Sequence, residues 1–165
     1  MTRTRDSEAT KAAIIEAAEA IFLEKGFGNT AVSEIAKLAG VTKSLIHHHF
    51  GSKEALWREV KYRRFMEYAA KQLPMIQQSE ATVELLRESM QLYFRFLKEN
   101  PQVVRIMAWM FLERDQRDDA CDAADRRLIE AGVEKIKEGQ AHGGIRADID
   151  PRFILFTFVG IAQHW

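Results

Sequence analysis

Cysteine is almost missing from this sequence. Cys121 stands alone among 165 residues, which excludes an internal disulfide and a zinc site built from several thiolates. A lone thiol of this kind reads as reduced and inert in a cytosolic protein. An excess of one charge is missing too: Lys plus Arg and Asp plus Glu each number 24. Bulk charge therefore names no partner, and only its local distribution can. No charged start leads into an apolar run, so no signal peptide is visible. The longest apolar stretch, Phe153 to Ala162, falls short of the roughly 20 residues that span a bilayer. A soluble, cytoplasmic protein without a membrane partner is expected. Prolines occur only at 74, 101 and 151, and strand-type alternation and internal repeats are absent. Helical spacing recurs instead, and the expected class is all-α.

Helix one is expected from about Glu8 to Lys25, with Ile14, Ala17, Ala18, Ile21 and Phe22 forming one apolar stripe. Gly26 stops it, and Phe27 can fold back on Phe22. Thr30 is the expected N-cap of helix two, whose buried face would carry Val32, Ile35, Ala36 and Ala39. Gly40 ends that helix, and Thr42 caps helix three, with Val41 and Ile46 spaced as a hydrophobic staple. Ser52 caps helix four, expected to reach about Gln72 before Pro74 breaks it. Two short helices joined at a glycine suit both a helix-turn-helix and a plain structural hairpin. Charge favours the first, because no acidic residue occurs from Ile35 to Lys53 while Lys37, Lys43 and Lys53 do. Carboxylates there would be repelled by a duplex.

Three consecutive histidines, His47 to His49, lie inside helix three. At about 100° per residue, Ile46 and Phe50 share the core direction, His48 points nearly opposite, and His47 and His49 flank it. Rings so spread do not converge on a metal, for which ligands on one helix usually sit four apart. They suit instead an exposed surface that donates to phosphates or base edges.

The stretch GFGNTAVSEIAKLAGVTKSLIHHHFGSKEAL resembles the DNA-binding domain of TetR-family transcriptional regulators. The resemblance is dense over about Ala13 to Leu56 and elsewhere rests on helical layout. It implies DNA contacts from Thr42, Lys43, Ser44, Leu45, His47, His48 and His49. It also implies phosphate contacts from Thr30, Ser33 and Lys53. Two positions depart from the family pattern. His47 replaces a common tyrosine, and Leu45 replaces a frequent threonine; leucine can touch a thymine methyl but cannot hydrogen-bond a base. Arg3 and Arg5 precede helix one as a basic arm that fits either minor-groove contact or a frayed terminus.

The expected domains are residues 1–52, a three-helix helix-turn-helix unit, and 53–165, a helical bundle. In the second, helices are expected at about Thr82–Lys98, from Pro101, at about Asp118–Glu138, and through the run RFILFTFVGIAQHW. The resemblance implies that this bundle holds a small effector and forms a homodimer on a palindromic duplex operator. Soft apolar side chains suit adaptable pockets, so the candidate lining is Met66, Met90, Tyr93, Phe94, Met107, Trp109, Met110 and Phe156. Each of these taken singly fits a plain core residue, and as a group they favour an apolar or aromatic effector. Phe153, Phe156, Ile161 and Trp165 are expected to pack on a second subunit, in a natural chain that continues past Trp165. No phosphate loop, nucleotide fingerprint, catalytic triad spacing or metal-ligand pair occurs. No enzyme activity, cofactor or metal is expected. The alternative is a ligand-binding or interaction module without DNA binding.

Overall fold

The computed structural model describes residues 2–112 and 119–163, with side chains described for 7–106, 108, 123 and 126–162. Every element among them is an α-helix: α1 Thr2–Lys25, α2 Val32–Ala39, α3 Lys43–Phe50, α4 Lys53–Gln78, α5 Val83–Glu99, α6 Pro101–Leu112, α7 Asp119–Ala141 and α8 Pro151–Gln163. They form two compact units, Met1–Arg63 and Arg64–Trp165. The division expected after Ser52 thus falls inside α4, because Leu56, Trp57 and Val60 are buried in the first unit's core.

In the first unit, Ile14, Ala17, Ala18, Ile21 and Phe22 of α1 are buried as their spacing requires, alongside Ile35, Ala36 and Ile46. Phe22, Phe27 and Trp57 form an aromatic trio, with ring centroids 5.6, 5.1 and 6.2 Å apart. Gly26 takes φ 81°, its N–H donates to Phe22 O at 2.9 Å, and Phe27 does fold back on Phe22. Helix α1 starts at Thr2, six residues before the expected start. The segment TRTRDS contains neither glycine nor proline, so nothing local interrupts the backbone bonds. Arg3 and Arg5 therefore belong to the helix backbone; their side chains lie outside the described residues.

Pro74 does not end α4, which continues to Gln78. A proline inside a helix removes one backbone bond and crowds the carbonyl four residues earlier. Here both Pro74 and Ala70 are exposed, so the released carbonyl meets water and a small side chain limits the crowding.

The second unit is built around Tyr93, Phe96, Leu97 and Val103, flanked by Tyr68, Val104, Phe158, Val159 and Ala162. Thr82 caps α5 by accepting from Leu85 N at 3.2 Å, and Pro101 opens α6 as expected. The buried stripe of α5 is Leu85, Ser89, Tyr93, Phe96 and Leu97, so Phe96 lies in the core while Phe94 is half-buried. Helix α7 packs closely on the turn between α4 and α5. A Cβ at Gly139 would lie 2.7 Å from Ala81 O and 2.5 Å from Ile145 Cδ1, and Lys135 Nζ donates to Ser79 O at 3.1 Å. On α8, Phe153, Phe156 and Ile161 are exposed; Trp165 lies outside the described residues. No helix among the described residues is long and apolar enough to cross a membrane.

Candidate nucleic-acid interface

The joint between α2 and α3 is fixed by its backbone. Gly40 sits in the left-handed region at φ 67°, and Val41 N donates to Ala36 O at 3.0 Å. This closing bond and the glycine conformation are those of a Schellman ending, which turns the chain sharply. Thr42 then starts α3, its Oγ1 accepting from Leu45 N at 3.2 Å. Ile46, 1% exposed, anchors α3 in the core. The opposite side is left to solvent: Thr42, Lys43, Ser44, His47 and His48 are exposed, with Leu45, His49 and Phe50 half-buried.

The His47 ring is oriented from behind. Its Nδ1 lies 3.0 Å from Gly51 O; a carbonyl only accepts, so Nδ1–H is the donor and Nε2 faces outward. The His48 and His49 centroids are 5.5 Å apart, edge to face. Those two rings are therefore neighbours, closer than an even fan would place them. Among the described residues no cluster of His, Cys, Asp or Glu could hold a metal ion.

Glu34, the carboxylate carried by α2, is occupied. It pairs with Lys25 and accepts from Ala31 N at 3.2 Å. The Lys25 ammonium, then the Ala31 N–H, hold its carboxyl below the usual glutamate range. Ala31, not Thr30, is the N-cap of α2. Thr30 is 4% exposed because its hydroxyl turns inward and donates to Gly26 O at 2.8 Å, which removes that side chain from the outer surface. Ser33 remains exposed. Lys53 is engaged as well: its Nζ donates to Phe27 O at 2.9 Å and Thr30 O at 3.2 Å, and lies 4.4 Å from the Phe27 ring centroid. Periodicity could not show this, since the partners are backbone carbonyls about 25 residues away in sequence.

The candidate effector residues disperse. Tyr93 is in the core, Phe94 is half-buried, and Met66, Met90 and Phe156 are exposed; the side chains of Met107, Trp109 and Met110 lie outside the described residues. A cleft of about 490 Å³ lies along α4 and α5, with Lys71, Met75, Gln91, Leu92, Arg95 and Phe96 among its lining. None of the expected lining residues whose side chains are described belongs to it.

A capped, acid-free helix held outward by one buried isoleucine, after a glycine turn, defines a helix-turn-helix DNA-binding protein. Residues 14–60 match the model of bacterial regulatory proteins of the tetR family, and residues 90–165 match the tetracyclin repressor-like C-terminal domain. The transcriptional regulator RutR of Escherichia coli K12 is 29% identical over 164 residues, covering 99% of this chain and 76% of its own. The transcriptional repressor SCO4008 of Streptomyces coelicolor is 27% identical over 159 residues, covering 96% and 79%. The structure of AibR in complex with isovaleryl coenzyme A and operator DNA superposes with a TM-score of 0.77 at 22% identity, covering 93% and 84%. The chain belongs to the TetR family of transcriptional regulators.

Proposed function

We propose that this regulator is a repressor that binds a palindromic operator as a homodimer and leaves it when a small effector occupies the second unit. The observation that carries the DNA-binding half is the exposed face of α3, where Thr42, Lys43, Ser44, His47 and His48 stand free of carboxylates. Half-buried Leu45 and His49 flank that face, and Ser33 extends it at the start of α2. On this reading α3 enters the major groove, Lys43 neutralises phosphate, and His47 offers its outward Nε2 as an acceptor to an amino group on a base edge. Two copies would place their α3 helices about 34–36 Å apart, one turn of duplex. The exposed Phe153, Phe156 and Ile161 of α8 supply an apolar face for the second copy. Bound acyl-coenzyme A and operator in AibR, and the repressor role of SCO4008, support ligand release and repression. The protein acts in the cytoplasm without catalysis.

The test is selection of genomic duplexes on the intact protein, followed by gel-shift titration at several salt concentrations. Selective binding should weaken steeply with salt. Lys43→Ala, which removes one ammonium from each protomer of the dimer, should lower the slope of log K against log salt by about 1.8. Absence of any salt-sensitive duplex binding would favour a ligand-binding module instead.

A further inference from the structure

The interior of the second unit contains a polar line that the protein leaves incomplete. Gln72 of α4 is 3% exposed, and its Oε1 is buried without a hydrogen-bond partner among the described residues. Buried acceptors are nearly always paired, because burial removes their bonds to water. Gln72 lies one turn after Tyr68 and three residues before Met75. Across from that stripe, the Tyr68 ring meets Tyr93 at 5.0 Å and Phe96 at 5.4 Å. Met75 Sδ accepts from the Ser89 hydroxyl at 3.7 Å. Descending numbers on α4 meet ascending ones on α5, so the helices are antiparallel and Gln72 lies level with the turn from Ser89 to Tyr93. Among the described residues, Ser89, 8% exposed, has only a thioether for its hydroxyl, which is a weak acceptor. Burial pushes the Tyr68 phenol far above its usual range, so it stays neutral.

Met75 connects this line to the outside. It lines the 490 Å³ cleft with Leu92 and Phe96, and its thioether is the group that Ser89 holds. Methionine has several soft torsions and only this weak bond to lose. The cleft's charged side chains, Lys71, Glu88, Arg95 and Glu99, are exposed. The groups one to two turns along the same helices, Tyr68, Tyr93, Phe96 and Gln72, are aromatic or neutral.

We propose that Met75 swings aside to admit a neutral aromatic molecule carrying one O–H or N–H, and that this group donates to Gln72 Oε1. The proposal rests on the effector reading above and gives that effector a chemical class. In this amide orientation a carboxylate or phosphate would meet the Gln72 carbonyl with like polarity. An ether of the same shape leaves the carbonyl unpaired.

The probes are 4-propylphenol and 4-propylanisole, titrated calorimetrically into the intact protein and into Gln72→Met, a substitution of similar volume without the carbonyl. The phenol should bind wild-type protein about tenfold or more tightly than the ether, and Gln72→Met should bring the two within about threefold. Without probe, Gln72→Met should melt about 2–6 °C higher, since it removes an unpaired buried acceptor. An unchanged ratio in the variant, a preference for the ether, no binding of either probe up to its solubility, or a lower melting temperature would each overturn the proposal. Release of a selected duplex, read in parallel, separates this site from the regulatory reading. Phenol that binds through Gln72 while DNA stays bound supports the site and overturns effector-driven release. Release by both probes alike, unaffected by Gln72→Met, supports release and overturns the site.

Discussion

Lys53 can be tested as an internal staple against its expected role as a phosphate contact. The perturbation is Lys53→Met, which keeps an apolar stem against Phe27 and deletes the ammonium. Removing it breaks the bonds to Phe27 O and Thr30 O and the contact over the Phe27 ring. Hydrogen bonds to a charged donor contribute about 1.5–3 kcal/mol each when buried, and a cation over a ring about 0.5–1 kcal/mol at an exposed site. Both bonds are only part-buried and share one ammonium, so water recovers much of this. A loss of about 2 kcal/mol is expected, close to a thirtyfold change in the folding constant. Urea denaturation followed by circular dichroism should show an earlier transition for the first unit. At a temperature where the variant stays folded, the salt slope of duplex binding should match wild type. The reverse pattern, an unchanged urea midpoint with a slope smaller by about 1.8, one phosphate lost per protomer, would refute the staple and make Lys53 a phosphate contact.

Three further outcomes are expected. Gly139→Ala should destabilise the second unit by about 1–3 kcal/mol, read by urea denaturation. Adding Ile145→Val should recover only part of that, because the Ala81 carbonyl it also strikes is backbone. Glu34 and Glu54 are held below the ordinary glutamate value of 4.5, Glu34 first by Lys25 and Glu54 first by its own backbone N–H. Their contributions are therefore complete above about pH 4.5 and lost as pH falls through the lowered values; the Glu34→Gln, Glu54→Gln double variant should unfold with a flatter acid profile by circular dichroism. His47→Ala should weaken duplex affinity measured by fluorescence anisotropy, since it removes the ring that the Gly51 carbonyl orients.

The first unit was legible because its signals are local. Glycine endings, threonine caps and the i, i+3, i+4 apolar spacing each act within a turn or two, and the structure places Gly26, Gly40, Thr42 and Ile46 as they require. Thr30 misled because a hydroxyl before a helix looks the same whether it caps forward or bonds back to Gly26 O. The second unit was less legible because its core line carries polar residues. Hydrophobicity favours Met90 and Phe94 on α5, whereas the buried stripe runs through Ser89 and Phe96, one or two residues out of phase. Gln72 was invisible for the same reason: apolar periodicity discards a buried amide. Trp57 went unnamed because its aromatic partners, Phe22 and Phe27, come together only after the chain turns.

The turn between α4 and α5 is held by α7 through main-chain oxygens: Ser79 O takes the Lys135 ammonium, and Ala81 O backs onto Gly139. A carbonyl belongs to every residue type, so these contacts place little demand on which side chains occupy the turn. They do fix how many residues separate the two oxygens. In an alignment of relatives that keep a lysine and a glycine four apart on α7, the turn's letters should vary freely while its length admits no gap. Substitution and insertion would thus be selected separately at one place: drift in composition, and strict conservation of count.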